Sequence, residues 1–370
     1  MTQSLGLSLW LLRIPEVKAT IGLTLIDLSF ALFMQPFGVL IGFFIAPLMI
    51  QKIGNNKSCL YFGLIFVGTF ILIPIAKTFF ILAGVLFISG LACAGAEVSM
   101  NAFAAQMERD LKIRMMSRFH AFWSIGALLS GCLVTLMSGL RVSFLLQQCL
   151  LIPIVSILVI IAAKSLPEYG ISHKGKNPEL SARLMPQLPL IILCLTPFGA
   201  LLLEGTLMEW TAVFKGDYQR LPKVTVGLIF CSFAVTMTLF RFYGDYIVDR
   251  FGLKQTIMFS ICTSFLGMLV YAQNSTPAVS IISAGLVGAG IANIYPIAIT
   301  LAASLSGSKE KNVAAVAFVS FTSFLIGAPL IGFMGEYWGL QVALSIIAPT
   351  SLFPLLYLLN SNKKNKFQRL

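Results

Sequence analysis

Apolar runs long enough to cross a bilayer recur from one end of this sequence to the other, and no other feature restricts its fold so strongly. A helix needs about 20 apolar residues to cross a hydrocarbon core of about 30 Å. Apolar runs are read near residues 1–12, which is short, and 24–50, 58–76, 79–107, 119–140 and 143–163, then near 188–214, 224–248, 255–273, 278–305, 312–338 and 341–359. Only 11% of the 370 residues are charged and the mean hydropathy is +0.90, too little charge to cover a soluble protein of this length. Open sheet edges are excluded in lipid, and the alternation of a barrel is absent. The expected fold class is therefore an all-α polytopic membrane protein, with the lipid bilayer as its first partner.

The net charge of +12 is distributed as topology rather than as a nucleic-acid patch. Of the 26 Lys and Arg, 18 fall on the side that holds both ends of the chain, seven on the other, and Arg241 lies inside a span. The positive-inside rule then predicts that both termini are cytoplasmic. All seven cysteines lie in apolar spans without metal-ligand spacing and read as packing residues, not disulfides or zinc ligands. The two histidines, His120 and His173, are too few for a metal cluster. No dinucleotide fingerprint, phosphate loop or nucleophile elbow stands in a suitable context, so neither an enzyme nor a bound cofactor is expected.

Twelve residues precede Arg13. As a helix they reach about 18 Å, short of a full crossing. The expectation is a first helix lacking its cytoplasmic half, through a misassigned start or a real truncation. A polar, basic stretch at 164–187 divides the chain, predicting a six-helix bundle at 1–163, a connector, a second bundle at 188–359 and a basic tail at 360–370. Internal likeness supports the division. "GLACAG" from Gly90 recurs as "GLVGAG" from Gly285, and "QKIGNNK" stands after the second span as "DRFGLK" stands after the eighth. Offsets of about 195–198 residues suggest parallel repeats.

These features resemble the major facilitator superfamily. In "RFYGDYIVDRFGLK", Gly244, Asp249, Arg250 and Gly252 follow the order of its signature loop, whereas the first copy carries Gln51, Asn55 and Asn56 at the acidic and basic positions. "WLLRIPEVK", "EVSMNAFAAQMERD", "RMMSRFHAFWSIGALLSG", "EGTLMEWTAVF", "GAGIANIYP" and "GAPLIGFMGE" are similar to a bacterial branch related to sugar:proton symporters of the fucose permease type. The resemblance implies two six-helix bundles, a bacterial inner-membrane location, a loop that latches the cytoplasmic gate, and a monomeric carrier of a small-molecule solute.

Charged residues inside the spans then become candidates. Glu97, Asn101 and Glu108 fall on one helical stripe, which is expected to face the bundle interior because ionisable groups avoid lipid. Glu204 and Glu209 lie in the seventh span about 140° apart, with Glu204 the deeper and Glu209 nearer the outer end. Glu97, Glu204 and Glu209, with Asn101 beside the first, are the proton-coupling and substrate-cavity candidates, with the proton as expected coupling ion, and Trp123 and Tyr295 are candidate cavity aromatics. Arg241 and Asp245, four apart, are expected to pair near the signature loop. Glu108–Arg118 is a candidate gate pair, and His120 a candidate pH sensor. Glycines in "GALLSG" and "GAPLIGFMG" are expected to let helices slide, and Pro329 to break the eleventh helix. The expected function is proton-coupled symport of a small polar solute, with sugar-like molecules among the candidates. Proton-driven efflux of amphipathic compounds and a non-transporting receptor or decayed relic are the alternatives.

Overall fold

The computed structural model describes residues 1–111, 116–166, 188–305 and 309–367, and every regular element among them is helical. The first group comprises α1 (Thr2–Leu11), α2 (Ile14–Ile21), α3 (Leu25–Ile53), α4 (Asn55–Thr69), α5 (Phe79–Leu111), α6 (Met116–Gly139) and α7 (Phe144–Lys164). The second comprises α8 (Leu188–Thr211), α9 (Lys223–Phe242), α10 (Gly244–Phe251), α11 (Leu253–Gln273), α12 (Pro277–Ile291), α13 (Ile294–Ser304), α14 (Lys309–Trp338), α15 (Leu340–Ile347) and α16 (Pro354–Phe367). Among the described residues, eleven segments are long and apolar enough to cross a membrane. Most of their limits follow the runs read from the sequence, but the run read at 224–248 ends as a span at Phe242, where Tyr243 turns the chain. The short first run forms α1, which turns at Leu12 and Arg13 into α2.

Local chemistry sets the boundaries. Thr24 and Asp27 form a reciprocal capping box that starts α3, satisfying donors that a helix start leaves unpaired. Ser143 caps α7 by accepting from Leu146 N–H. The turns after α3 and α10 are built on Gly54 (φ 85°, ψ 159°) and Gly252 (φ 84°, ψ 156°). That backbone region is essentially closed to residues with a Cβ. The same conformation at both copies is the structural counterpart of the repeat.

Each group packs chiefly within itself: α3 and α4 on α5, and α1 on α6 in the first; α9 and α11 on α12, and α8 on α14 in the second. Among the described residues, α1 and α2 make a smaller contact with α8 and the turn that follows it, and the two most extensive seams between the groups are α6 against α9 and α3 against α14. Both run over glycines in equivalent places. Gly126 packs on α1 of its own group and Gly131 on Phe230 and Cys231 across the seam; Gly327 packs on Leu202 of α8, and Gly332 on Ser29 across the seam.

Three expectations are corrected. Pro329 does not break its helix, because α14 runs through it; a proline inside a spanning helix is tolerated where neighbouring packing compensates for one lost hydrogen bond. Arg13 is buried, not a loop charge, with Nε donating to Gln147 Oε1 (2.9 Å) and Nη2 to the Val142 carbonyl (3.0 Å). Lys215, which falls just past the run read at 188–214 and so among the seven loop charges of that side, is instead fully buried in a π-helical turn at Ala212–Tyr218. Its Nζ donates to the carbonyls of Tyr271 (2.7 Å) and Asn274 (2.6 Å) and to Gln219 Oε1 (2.9 Å), and sits over the rings of Phe214 and Tyr271. A cation at a helix end complements the carbonyl dipoles there, and aromatic faces stabilise it further.

Candidate functional site

Pro296 shapes the middle of the molecule. Its missing N–H leaves the Ala292 carbonyl, four residues back, without a helical partner, and the tenth span is interrupted there between α12 and α13. Arg241 occupies the gap. Its Nε donates to the Ala292 carbonyl at 3.3 Å, one Nη to Ser124 Oγ at 3.0 Å and the other to Glu204 Oε2 at 2.8 Å. The last contact is an ion pair, with side chains 14% and 8% exposed. Glu204 sits near the midpoint of the Leu188–Tyr218 span, so pairing is what makes both charges tolerable at that depth.

The expected Arg241–Asp245 pair does not form. The helix ends at Phe242, Tyr243 turns the chain, and Asp245 starts α10 exposed, so the i, i+4 geometry is lost. Arg241 instead links α9 to α8, to the α12–α13 break and, through Ser124, to the first group.

Around this hub stand further candidates. Tyr295, half-buried on α13, lies within electrostatic reach of both Arg241 and Glu97. Its ring meets Phe321 edge-on, and Phe321 leads to Phe324, which packs against Gly205 between the two acids of α8. Trp123 is half-buried next to Ser124. Glu97 on α5 and Glu209 on α8 are each half-buried and make no hydrogen bond or ion pair among the described residues. Of the acids singled out in α8, the deeper one is thus neutralised by an arginine and the outer one is not. Asn101 is exposed. The side chains of Glu108, Arg118 and His120 lie outside the described residues. Gly244 is buried against Asn293 Oδ1, while Asp249 and Arg250 are exposed beside Gly252. In the first copy of that loop, Asn55 donates to the Ser99 carbonyl (3.1 Å), a neutral tie where the family pattern has charge.

On the face opposite the Gly54 and Gly252 turns, the groups are drawn together. Glu16 accepts from Lys223 across the groups at 2.6 Å and from Arg13 at 2.7 Å. The Leu25 N–H donates to Glu336 Oε2 at 2.8 Å. Burial raises the pKa of Glu16, but the hydrogen bonds from Lys223 and Arg13 outweigh it and hold the carboxyl below its ordinary value. No cluster of metal-ligating side chains occurs among the described residues.

Sequence reasoning found Glu204, Arg241 and Tyr295 but missed Ser124 and the Ala292 carbonyl. The spacing of Ala292 and Pro296 was the available signal for the carbonyl. Ser124 carried none, since a serine in a spanning helix usually bonds its own backbone.

Comparison with known proteins bears on the whole chain. The model of the Major Facilitator Superfamily matches residues 2–222 and again 215–369. An uncharacterised MFS-type transporter of Yersinia pestis is 26% identical over 345 residues, covering 93% of this chain and 89% of that protein. The fold is shared with a mutant form of the nucleoside transporter NupG (TM-score 0.74, 14% identity, 96% of this chain and 97% of that one). It is also shared with a mutant form of the Escherichia coli fucose:proton symporter FucP (TM-score 0.63, 16% identity, 96% and 94%).

Proposed function

The chain belongs to the major facilitator superfamily, and we propose that it is a secondary active transporter carrying a small polar, hydroxyl-bearing solute together with a proton by alternating access. The observation that carries this reading is the mid-depth cluster to which both groups contribute: Glu97 and Ser124 from one, and Glu204, Arg241 and Tyr295 from the other. That the solved structures sharing the fold include nucleoside and fucose carriers supports a hydroxyl-rich solute.

Each group then has a role. Arg241 is neutralised by Glu204, so it offers N–H donors to a neutral solute without demanding an anionic one. Tyr295 and Trp123 provide ring faces for a sugar-like ring. Glu97 has no cation partner among the described residues, so its charged form is costly once water is excluded. Protonation removes that cost, and a solute hydroxyl satisfies the remaining polar atoms. Proton and solute together therefore favour closure, while either alone disfavours it. The positive-inside rule assigns the Gly54–Gly252 face to the cytoplasm. The shape described here is then the state with its outer end shut. The aromatic wall of Phe321 and Phe324 favours, as a second reading, an amphipathic solute exported against protons.

Right-side-out vesicles holding a trapped pH dye separate the two. Monosaccharides and nucleosides are added in turn, then amphipathic cations. Lumen acidification with uptake of a hydroxylated solute is expected; lumen alkalinisation driven by amphipaths would establish export instead. Glu97→Gln is expected to lose proton-driven accumulation and keep solute exchange. Accumulation equal to the unaltered chain would remove Glu97 from the coupling role.

A further inference from the structure

Two cysteines face each other across the α6/α9 seam. Cys132 Sγ lies 3.7 Å from Cys231 Sγ, although 99 residues separate them in the chain. Neither rides on a loop. Gly131, next to Cys132, lets the helices approach: a Cβ there would stand 2.8 Å from the Phe230 ring and 3.2 Å from Cys231 Sγ. One turn onward, Gly227 of α9 meets the Thr135 side chain in the same way. Among the described residues this is the one thiol–thiol contact, and all seven cysteines are free.

We propose that Cys132 and Cys231 form an oxidative modification site, in which a disulfide joins the two halves of the transporter along this seam. A disulfide sulfur pair stands about 2.05 Å apart, so the thiols need a modest further approach. Both lie about seven or eight residues from the ends of their helices at the Glu16–Lys223 face, which is about 10–12 Å into the span. A small, neutral, membrane-permeant oxidant of the peroxide class reaches that depth. Cys132 is exposed on the bundle surface and Cys231 half-buried, which makes Cys132 the first target. Peroxide transfers an oxygen to the Cys132 thiol, giving the sulfenic acid and one water. The Cys231 sulfur then attacks the sulfenic sulfur; the S–S bond forms, the S–O bond breaks, and the departing hydroxide takes the Cys231 proton as a second water. The two thiols lose two electrons and the peroxide gains them.

The bond would close the seam on the side where Glu16 meets Lys223. Arrest of the carrier is then a consequence that rests on the alternating-access reading; the disulfide itself does not.

The test uses the full chain in membrane vesicles with a protease site inserted in the 167–187 connector. After hydrogen peroxide, thiol blocking and cleavage, the two fragments are expected to migrate together on non-reducing gels and apart after dithiothreitol. The linked peptide should be identified by mass spectrometry of the unaltered chain. Cys132→Ala and Cys231→Ala should each leave the fragments separate. Separate fragments from the peroxide-treated unaltered chain, or a link that survives in Cys132→Ala, would overturn the proposal. Proton-coupled uptake should stop on linking and return on reduction. A link formed without any loss of uptake would leave the disulfide standing and instead refute the rocking cycle.

Discussion

The two seams between the halves share a backbone device and differ in side chains. On α6 and on α14, glycines five residues apart divide the work: Gly126 and Gly327 seat their helix within its own half, and Gly131 and Gly332 let it touch the other. The α6/α9 seam then carries polarity to mid-depth, through Arg241 on Ser124 and the facing thiols. Among the described residues, the α3/α14 seam carries no polar tie between the halves below its rim, its Ser29 hydroxyl being turned back on the Ile26 carbonyl of its own helix. It borders a groove of about 450 Å³ walled by Ile26, Phe30, Phe33, Ile326 and Phe333, with its polar tie, Leu25 to Glu336, at the end. In the proposed cycle the first seam senses what occupies the centre, and the second is a contact on which the halves turn.

That division can be broken experimentally. The largest effect is expected from Arg241→Met, which leaves the buried Glu204 without its cation; the loss should be about 3–5 kcal/mol in thermal unfolding of the detergent-solubilised protein. Adding Glu204→Gln should recover much of it. Phe33→Leu on the apolar seam should cost less than about 1.5 kcal/mol. Equal losses at Arg241 and Phe33 would erase the distinction between the seams.

Next come the glycines. Gly332→Ala and Gly131→Ala both overpack their seams, which costs about 1–3 kcal/mol, and Gly332→Ala should cost more. Its Cβ would meet Ser29 Cβ and the Leu25 carbonyl oxygen, which are held by backbone, whereas that of Gly131 meets a Phe230 ring that can turn. Spin labels on the exposed Thr20 and Thr276, one on each half, should report a wider separation for Gly332→Ala. The reverse order would show the α6/α9 seam to be the stiffer.

The smallest effect belongs to Lys223→Met, which spares the pair of Glu16 with the buried Arg13. The Lys223 side chain is 65% exposed, so its pair with Glu16 is screened and should contribute below about 1 kcal/mol. Because the Glu16 pKa is depressed, its tie is fully present above the ordinary carboxylate range and is lost as pH falls through the lowered value. The Thr20–Thr276 distance should therefore grow in acid and in high salt, and Lys223→Met should flatten both responses.

Much of this architecture was legible because the bilayer imposes its own length on each helix, so hydropathy alone placed most of the spans to within a few residues. The glycine turns were legible for a related reason: the Gly54 and Gly252 backbone admits little else. Partners across the fold were not. Arg241 has an acid one turn away in Asp245, and only the break at Tyr243 sends it to a carboxylate 37 residues back. Lys215 sits in "AVFKGDYQR", which reads as a helix end dissolving into a loop, and nothing in that string announces the waiting carbonyls of α11. Two prolines show the limit best. Pro329 lies inside a continuous helix and Pro296 accompanies an interruption, because the carbonyl that Pro296 frees has an arginine to receive.

Lys215 carries one further consequence. By joining the last turn of the seventh span to the end of the ninth, it denies the rim of that half a flap that could peel back by itself. In the proposed cycle the mouth on that side is then expected to part by a tilt of the whole half-molecule, with a bound solute enclosed or delivered as one event rather than leaking past one loosened helix.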